Sequence, residues 1–311
     1  MTKTGEIVRH IVNNVYLMEV EGRLLVVKQE ASIKDSDGIL RRLVWLLFNG
    51  SLSFKHEKRI YEQLGKYKFK YINTFPIYDT SEPRIIVFEY IEGSRGWDSN
   101  VIATEHVVQC IDELQKANVY VKGPLIQRIS VNMLNKVVLR ILRNSLYIAW
   151  RLNYLGLLPR VTKCILRCIS GQRKLKNGRL VHGDIRNMYT SRDEQLYMYD
   201  FETVVREKRW FMLDLVELSF DCSDLTLDMN LIDEYVKNVV SNDSGKPNMQ
   251  AQIRIGVLNR CLHALVNHDN SRKHQSVLLD FVNETVLQDD EFCRWLTNHE
   301  LHKPVCRKES N

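Results

Sequence analysis

The sequence predicts a two-lobed α+β fold, in which a small β-rich lobe precedes a large helical lobe. Two apolar strand-like runs stand near the N-terminus, and amphipathic helical stretches fill most of the last hundred residues. At 311 residues, 44% of them hydrophobic, the chain can bury more than one small core. We predict the small lobe over residues 1–92 and the large lobe over 93–311.

The small lobe begins with a predicted β-hairpin. Residues 14–20 and 23–29 are joined by Glu21-Gly22, a two-residue turn in which glycine takes a positive φ at little cost. Further strand candidates lie at 72–78 and 84–88. These runs predict an antiparallel sheet.

Lys28 closes the apolar second strand of this hairpin. An ammonium in that place can reach the phosphates of a nucleotide, although an exposed lysine at a strand edge is the ordinary alternative. A helix predicted over 53–64 offers Glu57 as an ion-pair partner, with Glu62 as a second choice.

The run Glu89-Tyr90-Ile91-Glu92-Gly93 leaves an apolar strand for a polar, glycine-ended link. Such a link is expected where two lobes join, and its backbone groups could bind adenine.

Two aspartate motifs predict a phosphoryl-transfer centre. His182-Gly183-Asp184 is followed sixteen positions later by Asp200-Phe201-Glu202. Phosphoryl transfer needs one carboxylate to orient the attacking hydroxyl, and carboxylate or amide oxygens to hold Mg²⁺ on the phosphates. Asp184, Asn187 and Asp200 supply these groups. Taken singly, each aspartate could instead cap a helix or end a strand.

These motifs together resemble the aminoglycoside phosphotransferases and choline kinases of the protein-kinase-like superfamily, over about residues 7 to 220. The matching runs, in chain order, are Asn13-Asn14-Val15-Tyr16, Val26-Val27-Lys28, Glu57-Lys58-Arg59-Ile60-Tyr61, Val87-Phe88-Glu89-Tyr90-Ile91-Glu92-Gly93, Val181-His182-Gly183-Asp184 and Tyr199-Asp200-Phe201-Glu202.

The resemblance implies a kinase that uses ATP and Mg²⁺. It implies that Lys28 contacts the phosphates, that Glu57 holds the Lys28 side chain in place, and that the backbone groups of Glu89 and Ile91 contact adenine. Asp184 would be the catalytic base, and Asn187 and Asp200 would bind Mg²⁺. His182 and Asp214 would support the catalytic loop.

The chain departs from the family pattern twice. The family places its asparagine five positions after the catalytic aspartate, where this chain has Tyr189, so Asn187 is assigned across a gap. Residues 7–20 contain no glycine, whereas the family's first hairpin normally uses glycines to bring backbone amides close to phosphates.

Charge is distributed unevenly. Residues 115–182 contain no Asp or Glu, and the fourteen Lys and Arg from Lys116 to Arg179 leave the rest of the +6 chain at a net charge of −8. A helix predicted over 129–154 gathers Lys136, Arg140, Arg143 and Arg151 on one face. This face is either an ordinary solvated surface or a contact with an anionic membrane or glycolipid acceptor, with nucleic acid less favoured.

The sequence therefore predicts an enzyme, a kinase acting on a hydroxyl of a small molecule or of a sugar or glycolipid headgroup. A lipopolysaccharide core-type kinase at the membrane surface is one alternative, and a pseudokinase acting as a binding or scaffold protein is another. The scattered cysteines predict reduced thiols, and the polar first nine residues lead us to expect a cytoplasmic protein, with peripheral contact at the inner membrane face as a further hypothesis.

Overall fold

The computed structural model describes residues 2–3, 8–9, 13–30, 54–78, 82, 85–91, 95–96, 103–121, 136–170, 172, 175, 178–185, 188–190, 196–201, 204–240, 248–266 and 272–301. The chain divides into two compact units, the first comprising Met1–Lys136 with Arg179–Arg206, and the second Val137–Gly178 with Glu207–Asn311. This division does not follow the boundary expected after residue 92, so the lobe assignment stays a prediction.

The first unit contains an antiparallel sheet in the order β1-β3-β4-β7-β6, with β2 also paired to β3. Its strands are β1 (Thr2–Lys3), β2 (Val8–Arg9), β3 (Asn13–Val20), β4 (Arg23–Glu30), β6 (Ile77–Tyr78) and β7 (Ile85–Glu89).

The predicted hairpin is confirmed. Glu21 and Gly22 both have positive φ, 52° and 75°, which is the backbone of a type I′ turn that matches the twist of its strands. Leu25, Val27 and Val87 form the buried centre of the sheet. Since successive side chains alternate between the faces of a strand, the hairpin register places Lys28 on the face opposite these residues.

Among its described residues, the first unit also contains two helices. The predicted helix over 53–64 is observed as α1 (Phe54–Leu64), which buries Ile60, Tyr61 and Leu64 together with Glu57. The second helix is α2 (Thr104–Lys116).

A second sheet of the first unit has the order β5-β11-β10-β8. It is formed by β5 (Ile72–Thr74), β8 (Arg95–Gly96), β10 (Met188–Thr190) and β11 (Leu196–Met198). In the hairpin of β10 and β11, Met188 lies opposite Met198. The chain before β10 and the chain after β11 therefore leave the same end of this sheet. A separate two-stranded sheet pairs β9 (Arg179–Val181) with β12 (Val205–Glu207). In sequence, β9 precedes β10 and β12 follows β11.

The second unit is helical. Its helices are α3 (Lys136–Arg151), α4 (Leu157–Ser170), α5 (Leu213–Ser219), α6 (Met229–Tyr235), α7 (Met249–Val266), α8 (Arg272–Phe281) and α9 (Asp289–Leu301). Single π-helical turns, Val236–Val240 and Val282–Val286, continue α6 and α8. A small hairpin joins β13 (Phe220–Asp221) to β14 (Thr226–Leu227).

Helix α3 corrects one prediction. Arg140 and Arg143 do not belong to a freely solvated face. Arg140 donates from Nη2 to Glu217 Oε1 at 3.0 Å and from Nε to Asn259 Oδ1 at 2.9 Å, and its side chain is 13% exposed. Burial, helped by the nearby charge of Arg140, lowers the pKa of Arg143 to about 10. A helical projection shows only which residues of α3 share a face. It cannot show the partners of Arg140, because these belong to α5 and α7.

The cysteines Cys110, Cys164, Cys168, Cys222, Cys261 and Cys293 are free thiols, as predicted, and Cys306 lies outside the described residues. Within the described part of the chain, no helix combines the length and the apolar character needed to cross a membrane.

Candidate active site

The site is centred on the buried ammonium of Lys28 on β4. Its Nζ donates to Glu57 Oε1 and Oε2 at 3.0 and 2.9 Å, and to Asp200 Oδ1 at 2.5 Å. Lys28 is 7% exposed, so the alternative of a lysine on an exposed strand edge is wrong. Glu62 is exposed, and the partner supplied by α1 is Glu57.

The buried ammonium of Lys28 is held by carboxylates from two elements distant in sequence. Burying a charge costs free energy unless it is paired and hydrogen-bonded, which these contacts provide. Lys28, Glu57 and Asp200 together sum to one negative charge. The carboxylate of Asp200 is about a quarter exposed, so this corner of the site can receive a further cation.

Tyr61 is a site residue that the sequence analysis did not identify. Its hydroxyl accepts a hydrogen bond from the backbone N–H of Asp200 at 2.9 Å. Burial raises the pKa of Tyr61 well above its ordinary value, and the carboxylates of Glu57 and Asp200 raise it further, so the phenol stays neutral. Tyr61 follows Glu57 by four positions, one helical turn, and this spacing is the signal that could have found it.

Aromatic rings surround the Tyr61 side chain. Phe88 of β7 and Phe201 both meet its ring edge-on, with centroids 5.0 and 4.9 Å away. Edge-to-face contacts are a favoured geometry between rings, so this packing fixes the position of the hydroxyl.

The loop that carries Asp184 is held by His182. The His182 ring is fully buried, and its Nε2 lies 2.8 Å from the carbonyl oxygen of Tyr199. The N–H of Asp184 donates to His182 Nδ1 at 3.3 Å. These two contacts assign a neutral imidazole that carries its proton on Nε2.

Gly183 has a φ of 81°, a conformation that costs glycine little and other residues more. It lets the chain turn between His182 and Asp184.

Asp184 precedes β10 in sequence and Asp200 follows β11, and the facing ends of these two strands are Met188 and Met198. Asp184 stands two residues after His182, and Asp200 one residue after Tyr199, on the two segments that the imidazole joins. The Asp184 side chain is partly exposed. Asp200 has a φ of 64°, which is unusual for a residue other than glycine, although Asp adopts it more readily than most, and such backbone recurs at active sites.

The other predicted site residues lie as follows. Glu89 ends β7 opposite Leu25 of β4. The next residue, Tyr90, donates its N–H to the carbonyl of Leu24. Because successive residues of an antiparallel strand point their backbone groups to opposite sides, those of Glu89 point away from β4. The Glu89 N–H donates to the Pro76 carbonyl at 3.2 Å. Ile91 follows in the link and is partly buried.

Asn187 lies outside the described residues, so its placement across a gap in the loop remains a prediction. Asp214 is fully buried in the first turn of α5, in the second unit, and its support of the catalytic loop also remains a prediction.

Comparison with known proteins identifies the fold. No family model matches the sequence, and no curated protein matches it. Among solved structures, the choline kinase LicA from Streptococcus pneumoniae matches with a TM-score of 0.57 at 14% identity, over 91% of this chain and 92% of that one.

Two further structures match as well. A Plasmodium vivax ethanolamine kinase matches with a TM-score of 0.58 at 10% identity, over 91% of this chain and 81% of that one. The aminoglycoside phosphotransferase APH(4)-Ia, in a ternary complex with AMP-PNP and hygromycin B, matches with a TM-score of 0.56 at 10% identity, over 92% of both chains. At such identities the likeness establishes the fold, and the predicted two-lobed α+β protein-kinase-like fold is confirmed.

Proposed function

We propose that this chain is an ATP-dependent phosphotransferase that transfers the γ-phosphoryl group to a hydroxyl of a small molecule. The observation that carries the proposal is the buried Lys28 ammonium held by both Glu57 and Asp200. The solved structures of the same fold include choline, ethanolamine and aminoglycoside kinases, which supports a small-molecule acceptor.

The nucleotide fits the residues of the first unit. Lys28 would contact phosphate oxygens while Glu57 keeps its ammonium in place. The outward-facing carbonyl of Glu89 and the N–H of Ile91 would accept and donate the hydrogen bonds of the adenine edge. Both groups belong to the backbone, so the side chains at these positions would be free to vary.

Magnesium also fits the donors that are present. Mg²⁺ is usually bound by one or two carboxylates together with phosphate oxygens and water. Asp200 supplies such a carboxylate at a point where the three charged side chains already leave a net negative charge, and Asn187 is the second ligand we propose. When bound, Mg²⁺ supplies neutralisation of the phosphate charge.

Asp184 is the proposed catalytic base. Its carboxylate would accept the proton of the acceptor hydroxyl as the new oxygen–phosphorus bond forms and the bond to the ADP oxygen breaks. The imidazole of His182, which contacts the Tyr199 carbonyl and accepts the Asp184 N–H, supports the segment that carries this carboxylate. Asp184 is partly exposed, as a group that meets an incoming substrate must be.

A glycolipid headgroup is the second candidate acceptor. It is favoured by exposed apolar side chains of the second unit that stand beside cations, with Trp150 and Leu155 the most exposed of them. A lipopolysaccharide core-type kinase would use such a surface to approach its substrate.

The proposal is tested by transfer of label from [γ-³²P]ATP in the presence of Mg²⁺. Choline, ethanolamine, aminoglycosides, reducing sugars and an extracted glycolipid fraction would be offered separately. We expect labelling of one class, with Asp184→Asn at least about a hundredfold slower and with ATP affinity nearly unchanged. ATP binding without transfer to any class would favour the pseudokinase instead.

A further inference from the structure

An apolar, cation-flanked surface lies where α3 meets α4 in the second unit. We define the α3–α4 corner as Leu146, Trp150, Leu152 and Leu155, with the cation Arg151 among them. Trp150 is 75% exposed and Leu155 is 71% exposed. Leu166, further along α4, is also exposed.

This clustering is not a general property of the molecule. Of the ten exposed large hydrophobic side chains found among the described residues, five fall between Leu146 and Leu166. Single exposed apolar residues are normal on a protein surface, whereas a group of them indicates an interaction site.

The local backbone explains why these side chains lie together. Leu146 and Trp150 are one helical turn apart near the end of α3. Asn153, with a φ of 51°, then reverses the chain, and Tyr154 N donates to the carbonyl of Ala149 at 2.8 Å. Leu152 and Leu155 therefore follow Trp150 within a tight connection, before α4 begins at Leu157.

The charged side chain within the corner is a cation. Arg151 is exposed, and no Asp or Glu occurs between residues 115 and 182. Asp289, on α9, pairs with Arg167 and Arg254, and the charge of Lys163 helps these arginines to lower the pKa of its carboxyl. Asp280 and Glu284 line a cavity of about 410 Å³ together with Arg160 and Tyr154. Arg160, Lys163 and Arg167 are accordingly left out of the proposed surface.

We infer that the α3–α4 corner docks on the surface of an anionic lipid bilayer. Tryptophan and leucine enter the boundary between headgroups and acyl chains, and lysine and arginine beside them are attracted to anionic lipids. A second copy of this chain fits less well. A symmetric dimer brings the same patch of both copies together, so each copy would add the Arg151 cation to the interface and no carboxylate of the corner to offset it.

The corner replaces the face first predicted to meet a membrane. Arg140 is paired with Glu217 inside the second unit, so its reversal to glutamate would disturb the core and would not test membrane contact. The inference does not depend on the proposed phosphotransferase activity, because it concerns where the protein binds and not what it transfers.

The test is co-sedimentation of the full chain with phosphatidylcholine vesicles, with or without about a third phosphatidylglycerol. At low salt we expect the anionic vesicles to bind roughly tenfold more protein than the neutral ones, and salt to reduce this difference. Trp150→Ser combined with Leu155→Ser should lower the partition coefficient about tenfold or more. Tyr120→Ser, which removes a side chain 73% exposed in the first unit, is the matched apolar control and should bind as the unaltered protein does.

The cationic side has its own matched pair. Arg151→Glu should weaken binding to anionic vesicles, whereas Lys66→Glu changes the net charge equally at an exposed position of the first unit and should have little effect. Circular dichroism and thermal melting of each variant establish that it is folded.

A third measurement reports the corner directly. Brominated lipids should quench tryptophan fluorescence in the unaltered protein, and the quenching should fall in Trp150→Phe. The inference is overturned if anionic vesicles bind no protein at low salt, if the serine variant binds undiminished, or if sedimentation shows that the corner forms a dimer that the serine variant abolishes.

Discussion

The Nε2 atom of His182 lies 2.8 Å from the carbonyl oxygen of Tyr199. This bond joins the two chain segments that carry the aspartates, because Asp184 and Asp200 stand only two residues and one residue further on. A neutral histidine is suited to this place, since it can donate to the carbonyl from one nitrogen and accept the Asp184 N–H on the other. One buried ring thus contacts both the segment of the proposed base and the segment of the proposed metal ligand.

The first prediction concerns nucleotide binding through Asp200. A ligand that binds only the folded state raises its stability, by about 2.7 kcal/mol when present at a hundred times its dissociation constant. MgATP should therefore raise the melting temperature of the unaltered protein. Asp200→Asn should remove the part of this rise that depends on Mg²⁺ and retain the part that ATP gives alone.

Asp224→Asn, at an exposed position of the second unit, is the control. An Mg²⁺-dependent shift of unchanged size in Asp200→Asn would contradict the assignment.

The second prediction concerns the ion pair on α1. Glu57→Gln leaves the buried Lys28 ammonium with Asp200 as its remaining carboxylate partner among those described here, and should lower the free energy of unfolding by roughly 1–3 kcal/mol. It should also lower kcat/KM for phosphoryl transfer by about tenfold or more, because the ammonium then loses the two hydrogen bonds to Glu57 that help to hold its position.

Glu62→Gln is the matched control for this substitution. Glu62 lies on the same helix and is exposed, so its replacement should change the free energy of unfolding by less than about 0.5 kcal/mol. Urea unfolding and steady-state kinetics measure both variants. Equal effects of the two substitutions would show that the Lys28–Glu57 contact is unimportant.

Local patterns were enough to predict much of the first unit. The hairpin around Glu21-Gly22 follows from alternating apolar residues and a turn that needs positive φ, and α1 follows from its helical spacing. The two aspartates could be paired because both motifs are short and contiguous. Tyr61 was missed since a tyrosine on the buried face of a helix ordinarily indicates packing, and its bond to Asp200 crosses 139 positions of the chain.

The prediction that Arg140 lies on an exposed cationic face was wrong for the same reason of distance. Arg140 meets Glu217 and Asn259, which follow it by 77 and 119 positions, so no local pattern shows that this arginine is paired. The apolar corner was missed in turn because a projection of α3 does not show which leucines remain exposed once the second unit has packed. Trp150 and Leu155 can be recognised only from the folded chain.

The third prediction concerns Glu207, whose side chain is buried in the second unit. Burial raises the pKa of its carboxyl from 4.5 to about 7, although the backbone N–H of Trp210 acts in the opposite direction. The folded state therefore holds the proton more tightly than the unfolded state. The stability this provides is fully present below pH 4.5 and is lost as pH rises through about 7.

Replacing Glu207 by glutamine should remove this pH dependence. Glu207→Gln should gain stability relative to the unaltered protein as pH rises from 5 to 8, with an upper bound on the order of 3 kcal/mol. Urea unfolding at several pH values measures the difference, and Glu19→Gln, at an exposed position, should follow the unaltered protein throughout. If the free energy of unfolding depends on pH in the same way for Glu207→Gln and the unaltered protein, Glu207 is not the cause of the pH dependence.

The last prediction concerns the contact between α5 and α7. A Cβ atom at Gly256 would lie 2.6 Å from both Cβ and Cγ1 of Val216. Rotation of a side chain does not move a Cβ atom, so the two helix backbones would have to shift apart. Alanine gains up to about 1 kcal/mol over glycine in a helix, while overpacking of this kind costs about 1–3 kcal/mol. Gly256→Ala should therefore destabilise the protein by up to about 2 kcal/mol in urea unfolding. Val216→Ala should be less costly in the Gly256→Ala background than alone, since it removes the close contacts with Cγ1 at 2.6 Å and with Cγ2 at 3.1 Å. Gly156→Ala meets its nearest neighbour at 3.9 Å and should change stability by less than about 0.5 kcal/mol. Additive effects of the Gly256 and Val216 substitutions would show that the two helices do not meet at this glycine.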